Sequence, residues 1–106
     1  MITKCAFFQG TIKAGQEAAM RAYVEAELAP LWRGFQPSED VKILFNVEDD
    51  KNGPTIPLAL IVTYEDQASL DQAMETEARY KARDMLPDFY AMFFNEVQLL
   101  HYVFED

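Results

Sequence analysis

The 106 residues suffice for one domain with its own core, spanning 1–106, and are too few for two. Half of them are hydrophobic and 13% are aromatic, which excludes a disordered chain. Against 9 basic residues stand 18 acidic ones, a formal charge of −9, which argues against nucleic acid and against an anionic membrane surface as partners.

A single cysteine, Cys5, forbids an intrachain disulfide and reads as a small buried apolar residue. Neither a CxxC pair nor a zinc-type spacing occurs, so no metal is expected. No glycine-rich phosphate loop, nucleophile elbow or dinucleotide fingerprint occurs either, and no cofactor is expected. No basic N-terminal region precedes an apolar run, and no apolar run approaches ~18 residues. The expectation is a soluble, cytoplasmic protein.

In chain order, Ile2 to Ile12 reads as a strand with apolar and aromatic residues on both faces. A helix is predicted over Ala14 to Phe35, with Ala19, Met20, Tyr23, Val24, Leu28, Leu31 and Phe35 forming one stripe at helical spacing. Arg21, Glu25 and Arg33 lie opposite, and Trp32 falls on the more polar side, where an additional packing partner would explain it. Glu27 interrupts the stripe. Pro30 predicts a kink or a broken turn, and Gly34 with Pro37 ends the helix.

Asp40 to Glu48 alternates as a strand. Asn52-Gly53-Pro54 marks a turn, and Ile56 to Glu65 is a third strand with Pro57 tolerable near its start. A second helix is predicted from an Asp66 cap to about Met85, with Pro87 stopping it and Asp88 to Phe94 adding a short helical turn. The residues from Phe89 to Phe94 read as a hydrophobic plug of the core. Asn95 to Phe104 is the fourth strand.

The order βαββαβ predicts an α+β, ferredoxin-like fold, in which two right-handed crossovers place both helices on one face of a four-stranded antiparallel sheet. A wetted second face would require each strand to alternate apolar with polar. These strands do not. Ala6 and Phe8 oppose Cys5 and Phe7, while Leu100, Tyr102 and Phe104 oppose Val97, Leu99 and Val103. With no spare element, the expected cover is a second copy packed isologously, that is, a homodimer through the helix-free face.

This pattern resembles the dimeric α+β barrel superfamily, in which two ferredoxin-like sheets pack face to face. Arg21 to Trp32 (RAYVEAELAPLW) resembles the first-helix signature of EthD-type proteins. Tyr23, Ala29, Pro30 and Leu31 match it. Val24 stands where the signature has Trp and Leu28 where it has His, so no catalytic role carries over to Leu28. Antibiotic-biosynthesis monooxygenases, muconolactone isomerases and stress-responsive barrel proteins share the superfamily, and their chemistries differ.

Among residues that could carry chemistry, Glu27 is the sharpest candidate. On the stripe its pKa would rise with burial, suiting a general base. His101, the lone histidine, shares the alternation of Val97, Leu99 and Val103 and is a second catalytic candidate. Tyr23, Asn46 and Tyr64 are polar handles for a ligand. Glu77 sits like Glu27 on the second helix, with Lys81 placed for an ordinary i, i+4 pair. The resulting expectation is a homodimer binding a small apolar or aromatic metabolite, either as a cofactor-free enzyme of monooxygenase or isomerase type or as a non-catalytic sensing or assembly domain.

Overall fold

A computed structural model describes residues 1–106. Strands β1 (Ile2–Ile12), β2 (Asp40–Phe45), β3 (Leu58–Tyr64) and β4 (Phe93–Glu105) form one antiparallel sheet in the order β2-β3-β1-β4. The long strands β1 and β4 are interrupted by a register shift between Gln9 and Thr11. At this irregularity the Gly10 amide bonds to Thr55 O instead, at 2.9 Å. A Cβ on Gly10 would stand 2.9 Å from the Phe93 ring, so no larger residue fits there without movement.

Register fixes which side chains share a face. Ala6 lies opposite Leu60 and His101, and Lys4 opposite Val62 and Val103. Ile2, Lys4, Ala6 and Phe8 therefore face the helices together with Leu58, Leu60, Val62, Tyr64, Leu99 and His101.

The first helical region is α1 (Glu17–Tyr23), a π turn over Val24–Leu28, and α2 (Ala29–Trp32). Pro30 has no N–H for the Ala26 carbonyl, and just before it the Ala29 amide reaches back five residues to Val24 O. One residue is thus inserted into the 3.6-residue repeat, and the buried positions run Met20, Val24, Leu28, Ala29, Trp32, Phe35. This corrects two expectations. Glu27 is exposed rather than part of the buried stripe. Trp32 is only 3% exposed and packs on Phe8, ring centroids 5.9 Å apart, while Leu31 is half-buried.

The second helical region also departs from the expected single helix. It divides into α3 (Gln67–Ala73) and α4 (Glu77–Tyr90). Asp66 caps α3 by accepting from the Ser69 amide at 2.8 Å, as predicted. Thr76 then starts a new helix, its hydroxyl donating to Ala73 O and accepting from the Arg79 amide. Pro87 does not end α4: the helix gives up one hydrogen bond and continues to Tyr90. Strands β2 and β3 are shorter than expected, ending at Phe45 and starting at Leu58.

The core lies between the helices and one face of the sheet. Phe89 and Phe93 pack edge-to-face at 5.2 Å, and Phe8 meets Phe89 at 5.3 Å. At Gly34 a Cβ would stand 2.9 Å from Ala78 Cβ, so the chain leaving α2 presses directly onto α4. The other sheet face carries no element. On it Leu44, Tyr102 and Phe104 are 50%, 48% and 58% exposed, and Phe7 leans on Tyr102 at 6.1 Å. No helix is long and apolar enough to cross a membrane.

The rotation caused by the π turn yields a prediction. In urea unfolding, Trp32→Ala should cost about 3–5 kcal/mol, whereas Glu27→Gln should change stability by no more than about 0.5 kcal/mol. A large loss in Glu27→Gln would place that carboxylate back in a buried contact.

Candidate functional site

Between the sheet and the helices lies a cavity of about 310 Å³, at the lower end of the ~300–1,000 Å³ typical of ligand clefts. Ala6 on β1 and Ala82 on α4 leave the room, since longer side chains at these buried positions would fill it. Trp32, Phe35, Leu60 and Leu86 supply apolar walls, and Met74 lies beside Lys4. Trp32 reaches this wall only because the π turn swings it inward.

A smaller space of about 40 Å³ shares Lys4, Ala6, Met74 and His101 with this cavity and extends to Tyr64. The Tyr64 hydroxyl is buried and has no hydrogen-bond partner. Burial pushes its pKa up to about 12, so it stays a donor at neutral pH. An annex of that size can hold a water or one polar group of a ligand. Across the three strands, Tyr64, Lys4 and His101 fall on one diagonal, each two residues out of direct register with the next.

Three basic residues, Lys4, Arg79 and Arg83, line the cavity with His101, and no Asp or Glu does. The Lys4 ammonium finds only Met74 Sδ, at 3.1 Å, a weak acceptor. Burial, and secondarily the charge of Arg79, lowers the Lys4 pKa. His101 stands at the mouth, still reached by solvent. Its pKa is lowered first by lost hydration and then by Lys4 and Arg79, which keeps the imidazole neutral at pH 7.

The other residues singled out from sequence lie elsewhere. Glu27 faces solvent and does not line the cavity. Tyr23 donates to Met85 O at 2.8 Å and braces α1 against α4. Asn46 donates to Asp49 Oδ1 and Ile56 O, both at 2.7 Å, and ties the connection between β2 and β3. It lines an open cleft of about 380 Å³ with Glu17, Arg21 and Asp49, which contains no buried polar group. Glu77 is exposed in the first turn of α4 and pairs with Lys81 at 3.1 Å. Of the six, only His101 and Tyr64 come together.

Sequence reasoning passed over Lys4, Arg79 and Arg83. Lys4 was visible as a charged residue in step with Ile2, Ala6 and Phe8 on an otherwise apolar strand face. Arg79 and Arg83 stand four apart on one helix, a like-charge spacing that costs helix stability unless something answers it. In the structure both guanidinium groups lie over the Tyr80 ring, at 5.6 and 5.5 Å. No three His, Cys, Asp or Glu side chains gather as metal ligands would.

No protein-family model matches the sequence, and no curated protein matches it. Solved structures do. An ethyl tert-butyl ether D (EthD) family protein from Bacillus halodurans is 21% identical, covers 100% of this chain and 99% of its own, and superposes with a TM-score of 0.74. An antibiotic biosynthesis monooxygenase is 19% identical over 96% of each chain, at 0.56. A dimeric ferredoxin-like protein of unknown function from Jannaschia is 13% identical over 96% and 98%, at 0.60. The chain has the α+β ferredoxin-like fold, in the form seen in EthD-type and dimeric ferredoxin-like proteins.

Proposed function

We propose that the chain binds a small, largely apolar metabolite in the cavity between sheet and helices, works as a homodimer through its helix-free sheet face, and exchanges a proton with the ligand through His101. The observation that carries this reading is a mostly apolar cavity, walled by Trp32, Phe35 and Leu86, with the lone histidine at its mouth. An apolar lining with a few converging polar groups is the usual make-up of a small-molecule site. A sensing domain without catalysis would use the same cavity. A neutral imidazole within the field of two cations favours chemistry: it can accept a proton, and the cations would stabilise the negative charge left on the ligand.

The homodimer is supported by the uncovered patch of Leu44, Tyr102 and Phe104, and by the dimeric state named for the Jannaschia neighbour. Light scattering of a dilute sample should give twice the 12.2 kDa chain mass, and Tyr102→Glu with Leu44→Glu should give the monomer. A wild-type chain monomeric at micromolar concentration would contradict the pairing.

For the cavity, a neutral two-ring probe, 2-naphthol, should shift the amide resonances of Lys4, Ala6, Leu60 and Leu99. Shifts confined to other surfaces would refute the site. For His101, the imidazole should titrate by NMR below the ordinary 6.5, and Lys4→Met should move the midpoint up by removing a positive charge. Since the unfolded chain takes up this proton more readily, His101 subtracts stability as pH falls from about 6.5 through the folded midpoint and subtracts nothing above that window. A midpoint above 6.5 would remove the proposed base.

A further inference from the structure

We propose that the ligand of this cavity is an organic carboxylate, with its ring or hydrocarbon body against Trp32 and Leu86 and its carboxylate held by Lys4 and Arg79. The inference rests on the cavity being the ligand site and goes further by assigning the ligand's charge.

The distribution of charge is the first ground. The chain carries a formal charge of −9, yet 3 of its 9 basic residues and its only histidine line this one cavity without an acidic residue among them. A protein so rich in Asp and Glu had many ways to neutralise these groups. None is used. Neither Lys4, Arg79 nor Arg83 has a carboxylate oxygen within 4.0 Å; elsewhere Arg21, Lys42 and Lys81 do, and the unpaired Lys13, Arg33 and Lys51 are exposed to water, whereas Lys4 and Arg79 are partly buried.

The second ground is unmet hydrogen bonding. A half-buried ammonium ordinarily satisfies its donors with oxygen, and Lys4 has one sulfur. The Tyr64 hydroxyl, fully buried beside the same annex, has nothing. A carboxylate is acceptor-only, with about four lone-pair sites for donors converging from different directions. It would accept from Lys4 and from the Arg79 fork, and Tyr64 is placed to donate to it or to a bridging water.

The third ground is mutual repulsion. Arg79 acts unfavourably on Lys4, and both act unfavourably on His101, a mutual cost that an anion placed among them would relieve. The Arg79 and Arg83 guanidinium groups both lie within cation–π distance of the Tyr80 ring, which is not part of the cavity lining. Its hydroxyl is engaged by Glu75 at 2.9 Å, which turns that carboxylate toward tyrosine rather than toward the arginines.

The test compares 2-naphthoate with its neutral isostere 2-naphthamide, by calorimetry at low salt and by amide shifts. The carboxylate should bind roughly 10-fold or more tightly, in line with a charge-assisted hydrogen bond. Lys4→Met and Arg79→Met should each weaken 2-naphthoate about 10-fold and 2-naphthamide much less, because its neutral carbonyl loses no charge-assisted bond. Retained amide binding shows that each variant is folded and its cavity intact. Equal affinity for both probes, or variants that weaken both alike, would overturn the carboxylate assignment and leave the cavity reading standing. Failure of both probes to shift any cavity residue would overturn the cavity reading itself.

Discussion

A four-stranded sheet has two faces, and this chain has helices for one. Strands β1, β3 and β4 bear apolar residues on both faces, so the sheet cannot alternate between a dry and a wet side. The two faces meet different fates. On the covered face, Phe8, Leu58 and Tyr64 meet Val24, Leu28, Trp32 and Phe89 in one core. On the bare face, Tyr102 and Phe104 stack at 6.4 Å and stand in solvent, an arrangement that a second copy would bury.

The covered face is not filled to the end. Opposite alanines at 6 and 82 leave a cavity, and the π turn before Pro30 supplies its tryptophan wall. Widened helical turns often sit at functional sites because they re-aim a side chain without breaking the helix. Here the re-aimed residue is Trp32, and the displaced one is Glu27.

The succession of strands and helices along the chain, the turn at Asn52-Gly53, the Asp66 cap and the two-sided apolar sheet were legible in the sequence, because alternation and capping chemistry are local. The face assignment of His101 was legible for the same reason: a period of two tolerates no drift along β4. The helical face beyond Val24 was not. A periodicity of 3.6 carried through Glu27 assumes an unbroken ladder, and Pro30 changes the repeat upstream of itself, where no local signal marks a five-residue turn. The break at Thr76 was hidden because Met74 to Thr76 carries neither Gly nor Pro. The cationic cluster was hidden for another reason. It joins Lys4 to residues more than seventy positions away, and only the register between β1 and β4 and the packing of α4 bring them together.

In such a cavity charge and shape have separate tasks. The apolar walls select size and flatness, the three cations select sign, and the neutral imidazole at the mouth is the group able to accept a proton. A crystal structure of the protein grown with 2-naphthoate tests this account most directly. It should show the naphthyl ring beneath Trp32, the carboxylate within hydrogen-bond distance of Lys4 Nζ and the Arg79 guanidinium, and a two-fold partner over Tyr102 and Phe104. An unfilled cavity with the acid bound elsewhere, or a bare sheet face in contact only with solvent, would contradict it.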